Sequence, residues 1–170
     1  MLEIFNSLNP FFEDNYRKIS VREYSKIQKI SPPTASKLLK GLKKEGLLNC
    51  NKEKIYIYYY ANRENSIFVS LSRVYWLQIF NKIGLLDYFE RELIHPIVIM
   101  FGSFAKAEIT PKSDIDIAIF SISRKELNLH KFQGILKREI QTFMFKSWDD
   151  VKNKDLLNSM INGFILKGGW

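Results

Sequence analysis

Asp114-Ile-Asp-Ile-Ala-Ile-Phe120 restricts the fold of this chain more than any other segment. On a strand, residues two apart share a face. Asp114 and Asp116 therefore project together, while Ile115, Ile117 and Ile119 point to the opposite side. The isoleucine face has to be buried, so this strand needs sheet neighbours and covering helices. An apolar strand, Ile97-Val-Ile-Met-Phe101, follows Pro96 and ends at Gly102-Ser103. Glu139 to Phe145 reads as a third strand, and Phe164-Ile-Leu166 as a last short one. Helices are predicted from Phe104 to about Glu108, Lys125 to Lys137 and Val151 to Ile161, with another from Leu85 to Leu93. Residues 95–170 then form a small mixed sheet with flanking helices.

The two carboxylates point to a chemistry. Like charges this close repel unless a cation or solvent lies between them. Mg²⁺ takes oxygen ligands and is commonly held by one or two carboxylates together with substrate phosphates. The strand-to-helix step at Gly102-Ser103 suits the phosphates. Glycine lets backbone amides approach an anion, and a helix N-terminus turns its free N–H groups toward it. Ser103 adds a hydroxyl donor. Lys106 and Ser113 complete the set of nucleotide-contacting candidates, and Lys112 adds charge nearby.

Taken together, Gly102-Ser103-Phe-Ala-Lys106 followed by Lys112-Ser113-Asp114-Ile-Asp116 resembles the signature of the DNA polymerase β-like nucleotidyltransferases. The resemblance is nearest to the minimal nucleotidyltransferases and covers about residues 96 to 146. It implies a Mg²⁺-dependent transfer of a nucleotide from a nucleoside triphosphate, with ATP the favoured nucleotide. By the same resemblance Asp114 and Asp116 are metal ligands and catalytic residues, and Gly102 and Ser103 grip the triphosphate. Family members usually carry a third acid on the third strand. Here Gln141 stands at that register, and a glutamine cannot act as a base. Glu139, on the same face two residues earlier, is the candidate catalytic replacement.

The N-terminal half reads differently. A short helix is predicted over Leu2, Ile4, Phe5 and Leu8, ending near Pro10. Ser20-Val-Arg-Glu23 has the pattern of a capping box, so a helix through Lys29 follows, with Val21, Tyr24 and Ile27 facing inward. Ser31 caps a second helix, and Pro32 suits its first position. Ala35, Leu38, Leu39 and Leu42 form its apolar face, and Gly46 stops it. Leu47 to Cys50 and Ile55 to Tyr60 read as strands around a polar turn at 51–54. Helix, turn, basic helix and hairpin form the order of a winged helix-turn-helix. The stretch from Pro32 to Leu48 resembles the recognition helix of winged-helix regulators of the MarR/ArsR kind.

Such a module reads DNA with the first residues of its second helix. Thr34, Ser36 and Lys37 are the base-contact candidates. Lys40, Lys43, Lys44, Lys52 and Lys54 are placed against phosphates. Charge agrees: the chain is +8, and residues 1–65 hold twelve Lys/Arg against seven Asp/Glu, an excess of five. A basic excess of this size favours anionic partners.

The predicted organisation is a DNA-binding winged helix at 1–62, connecting helices at 63–94 and a nucleotidyltransferase-like domain at 95–170. A helix from about Ser66 to Lys82 carries Ile67, Phe68, Leu71, Val74, Tyr75 and Ile79 as its apolar stripe, wide enough for interdomain packing or a homodimer seam. Cys50 is the lone cysteine, which fits a reducing cytoplasm, and no segment reads as a membrane span. The function expected is a DNA-binding nucleotidyltransferase acting on a protein or RNA hydroxyl. The resemblance also implies an antitoxin role beside a HEPN-type toxin. The alternative is a transcriptional regulator whose nucleotide domain no longer catalyses.

Overall fold

Serine caps begin the second and third helices of the chain. In the computed structural model, which describes residues 3–123 and 125–169, Ser20 caps helix α2 (Val21–Gln28) and Ser31 caps α3 (Pro32–Lys44). Each hydroxyl accepts the backbone N–H three residues on, from Glu23 and Thr34 respectively, at 3.3 Å. Only half of the expected capping box forms. The Glu23 carboxylate pairs with Arg17 at 2.7 Å instead. A left-handed Lys29 closes α2, and a short turn leads into α3. The buried face of α3 is Ala35, Leu39 and Leu42, with Leu38 at its margin.

Helix α1 (Glu3–Glu13) runs past Pro10 rather than stopping there. Proline removes one helical N–H, but Phe11 and Phe12 just beyond it are fully buried. Burial of two aromatic side chains, at roughly 1.5–3 kcal/mol each, offsets one lost hydrogen bond of about 1 kcal/mol. Leu2 lies outside the described residues. In α2, Tyr24 and Ser25 are buried and Ile27 is exposed, contrary to the inward set predicted. A helix of only two turns turns a narrow face to its core, and Tyr24 fills it.

Strands β2 (Leu48–Glu53) and β3 (Tyr56–Ala61) form an antiparallel hairpin, and β1 (Ile19–Ser20) adds to β3 to give the order β1-β3-β2. The strands extend through the residues expected to form the turn, so that the turn falls at Lys54-Ile55. Lys54 takes a left-handed conformation there.

Helix α4 (Ser66–Lys82) is followed by α5 (Leu85–Glu92). The buried face of α4 is Phe68, Ser72, Tyr75, Trp76 and Phe80, at helical spacing. Ile67 and Val74, expected inside, are exposed because the larger aromatic rings define the inward side. The chain separates into two compact units, Met1–Ser72 with Ala107–Pro111, and Arg73–Lys106 with Lys112–Trp170.

The second unit is built on a four-stranded sheet. Its strands are β4 (Ile97–Phe101), β5 (Ile115–Phe120), β6 (Ile140–Phe145) and β7 (Phe164–Lys167), in the order β6-β5-β4-β7. β4 pairs antiparallel with β5 and β7, and β5 pairs parallel with β6. Helix α6 (Gly102–Lys106) starts at the glycine itself, two residues earlier than predicted. Helix α7 (His130–Leu136) is shorter than the predicted Lys125–Lys137 helix. The segment before it is tied down by polar contacts: the Asn128 N–H donates to the Tyr88 hydroxyl at 2.9 Å, and Lys125 pairs with Glu92. A 3-10 turn, Trp148–Asp150, precedes α8 (Lys154–Ile161). Asn153 starts α8 by accepting from the N–H groups of Asp155 and Leu156, later than the expected start at Val151.

The two sheet faces differ. Val98, Met100, Ile115, Ile117 and Ile119 are fully buried on one side. On the other, Ile99, Phe101, Ala118 and Phe120 pack with Val151 and Met160, and with Phe143, Phe145 and Trp148. Among the described residues no helix is long and apolar enough to cross a membrane.

Asn15 pins the Ala107–Pro111 segment into the first unit. It is buried, donates to the Phe11 carbonyl at 2.6 Å and accepts from the Ile109 N–H at 2.7 Å. Its own N–H reaches the Ile109 carbonyl at 2.8 Å. Asn15→Ala leaves a buried carbonyl and a buried N–H unpaired, at roughly 1–3 kcal/mol per orphaned group. Urea unfolding is expected to show a loss of about 2–4 kcal/mol, and a loss under about 0.5 kcal/mol would contradict this role.

Candidate functional site

Strand register assembles the candidate nucleotide site. β4 and β5 pair Phe101 with Asp116, which puts the next residue, Gly102, against the Asp116 side chain. Gly102 has φ +66°, and a Cβ there would overlap Asp116 Oδ2. Only glycine permits both this left-handed turn and this approach. Asp114 sits just ahead of β5, where the Ile115 N–H donates to the Glu139 carbonyl at 2.9 Å. β6 pairs Gln141 with Asp116. The Gln141 amide nitrogen then donates to Asp114 Oδ2 at 2.8 Å.

Burial, and secondarily the charge of Asp114, holds the Asp116 carboxyl above the ordinary aspartate range. The Ser103 hydroxyl, half-buried at the start of α6, has no hydrogen-bond partner among the described residues. Lys106 is exposed and makes no ion pair among them. Ser113 offers its carbonyl to Arg138 Nη1 at 2.9 Å. Gly102, Asp114, Asp116 and Gln141 are thus gathered at one end of the sheet face that also carries Phe101 and Phe143.

Glu139 is not gathered with them. It is exposed, and its carboxylate is held by Gln133 Nε2 of α7 at 2.6 Å. Among the described residues no three His, Cys, Asp or Glu side chains form a metal-ligating cluster. The donor set is therefore two carboxylates beside a glycine turn. It suits Mg²⁺ whose remaining ligands are phosphate oxygens.

Arg138 is a residue that sequence reasoning missed. Besides holding Ser113, its guanidinium lies 5.4 Å from the Phe104 ring and 5.7 Å from the Trp76 ring. Phe104 belongs to α6 and Ser113 immediately precedes Asp114. Arg138 so ties the glycine-serine helix to the segment that delivers the carboxylates. An arginine at a strand start carries no signal of such a role without the fold.

Residues 85–167 match the family model described as Polymerase beta, Nucleotidyltransferase. That span takes in β4 to β7 and every candidate nucleotide residue. The second unit accordingly has a nucleotidyltransferase fold. No curated protein and no solved structure matches the chain significantly.

The candidate nucleic-acid residues lie in the first unit. Lys37, Lys40, Lys43 and Lys44 are exposed on α3, with half-buried Ser36 among them. Helical spacing puts Lys37 and Lys44 opposite the buried Ala35, Leu39 and Leu42, and Ser36, Lys40 and Lys43 along the adjoining flank. Lys52 and Lys54 are exposed near the tip of the hairpin. None of these six lysines makes an ion pair among the described residues. Thr34 differs from the others in that its hydroxyl is within 2.8 Å of Ser31 Oγ at the helix cap; with Lys37 it lines a groove beside Ile4, Leu38 and Leu42. Beside the lysines, Ile55, Tyr56 and Ile57 stand exposed at the hairpin tip.

The raised Asp116 pKa fixes a sign. A carboxyl whose folded pKa exceeds its unfolded value, about 3.9, makes the folded state bind more protons than the unfolded one. Ionised Asp116 then costs stability, fully above its folded pKa and not at all below the unfolded value. Asp116→Asn is expected to raise the thermal midpoint of the ligand-free protein at pH 7. That gain should shrink as the pH falls through the folded pKa and vanish below about pH 3.9. A variant less stable than the parent at pH 7 would contradict this environment.

Proposed function

We propose that this chain is a DNA-binding protein whose nucleotidyltransferase-fold domain holds a Mg²⁺–nucleoside triphosphate, with ATP the favoured nucleotide. The observation that carries the reading is the close approach of Gly102, at the strand-to-helix turn, to the Asp116 carboxylate, with Asp114 beside it. Asp114 and Asp116 would hold the cation, and Mg²⁺ when bound neutralises the triphosphate. The backbone at Gly102 and the unpartnered Ser103 hydroxyl would take phosphate oxygens. Lys106 and Ser113 stand close enough in sequence to add donors, while Arg138 keeps the two halves of the site in register.

Helix α3 and the hairpin are read as a winged helix that docks on DNA. Ser36 and Lys37 would face base edges, and Thr34 would support the helix start. Lys40, Lys43, Lys44, Lys52 and Lys54 would meet phosphates, which fix position and affinity rather than sequence. The unpaired state of these lysines supports this, since counterion release needs free cations. A second copy of the chain on the same DNA would suit the exposed Ile67 and Val74 of α4.

A second reading is favoured by the family match over residues 85–167. In it the domain transfers a nucleotide to a protein or RNA hydroxyl, as an antitoxin acting on a HEPN-type toxin. Gln141 and the diversion of Glu139 to Gln133 weigh against it.

Fluorescence anisotropy on promoter DNA of the chain's own gene tests the first reading. Affinity is expected to fall linearly on a log–log salt plot and to change when Mg²⁺–ATP is added. At about 0.9 per neutralised phosphate, Lys40→Ala/Lys43→Ala/Lys44→Ala should reduce the slope by roughly 2–3. An unchanged slope would remove α3 from the DNA interface. Base-labelled ATP appearing on protein or RNA in an Asp116-dependent manner would favour the second reading.

A further inference from the structure

We propose that this site holds a single divalent cation and leaves its triphosphate intact, and that the Gln141 side-chain amide sets that stoichiometry. The inference rests on the Mg²⁺–nucleotide reading above.

β6 delivers Gln141 beside Asp116, and its Nε2 donates to Asp114 Oδ2 at 2.8 Å. An amide nitrogen is a donor and cannot ligate a cation. The reversed amide would set its carbonyl oxygen against the Asp114 carboxylate, acceptor against acceptor, so the neighbour fixes the orientation. One lone pair of Asp114 Oδ2 is thereby taken by a neutral donor, and Gln141 adds no negative charge to the site. The remaining carboxylate oxygens belong to only two acids.

Phosphoryl-transfer sites with two cations clamp the attacking and the leaving oxygens together, with the ions roughly 3.5–4 Å apart. The side-chain anions available to two such charges are only the Asp114 and Asp116 carboxylates, with no third acid among the described residues to join them. Glu139 is not grouped with this pair: its Oε2 accepts from Gln133 Nε2 at 2.6 Å, and its backbone carbonyl accepts from the Ile115 N–H. No other His, Cys, Asp or Glu among the described residues completes a cluster. An acceptor hydroxyl at this position would meet neither a second cation nor a carboxylate able to take its proton. The site therefore retains its nucleotide rather than consuming it.

Electron paramagnetic resonance with Mn²⁺ and ATP on the full chain tests this, with ATP occupancy followed separately by equilibrium dialysis. Gln141 is exposed, so Gln141→Glu is expected to fold. The parent should bind one Mn²⁺ per bound ATP, with the ATP recovered intact. Gln141→Glu should bind two, with a spectrum broadened by coupling between the ions. Two ions in the parent, hydrolysis or transfer by the parent, or one ion in Gln141→Glu would each overturn the proposal. ATP binding with the wrong ion count rejects only this inference. Absence of ATP binding to the parent rejects the nucleotide reading beneath it as well.

Discussion

The antiparallel pairing of β4 with β5 is the constraint on which the candidate site depends. It sets Phe101 opposite Asp116, so the chain leaves β4 directly against a carboxylate. Gly102 is required there because any side chain would strike Asp116. The same pairing buries Ile115, Ile117 and Ile119 on the far face. Three fully buried isoleucines contribute roughly 5–9 kcal/mol by transfer, which holds the strand in register. A slip of one residue would exchange isoleucines for aspartates across the sheet. The position of the carboxylates is thus secured by apolar burial on the opposite face.

That arrangement places two carboxylates side by side with Asp116 half-buried. Asp116 ionises less readily than an ordinary aspartate because of burial and its neighbour Asp114. A fold does not gain stability by such a pair. Arg138 and Gln141, both delivered by the β6 region, act at its two ends. Arg138 links Phe104 to Ser113, and Gln141 donates to Asp114. The parallel β5–β6 pairing therefore sets which side chains stand beside the two carboxylates.

The strands of the second unit were legible because alternation and glycine placement encode them locally. The same holds for the serine caps of α2 and α3. Contacts distant in sequence were not legible. Pro10 stays helical because of how Phe11 and Phe12 pack, which no local signal reveals. Ile67 and Val74 fell on the wrong side of α4 because Trp76 and Phe80 turned the buried face toward themselves. The segment before α7 stays irregular through bonds to Tyr88 and Glu92, some forty and thirty residues earlier. In the site, the Asp114/Asp116 face and the glycine turn could be read from spacing. The engagement of Glu139 by Gln133, the capture of Thr34 by the α3 cap and the role of Arg138 depend on side-chain contacts that spacing does not specify.

The central claim is that Asp114 and Asp116 form a Mg²⁺-dependent triphosphate site. Isothermal titration calorimetry of ATP into the protein, with Mg²⁺ and with excess chelator, tests it most directly. The account predicts one site per chain that is seen only with Mg²⁺ and is lost in Asp114→Asn/Asp116→Asn. ATP binding that persists in the double variant, or that is indifferent to Mg²⁺, would contradict it.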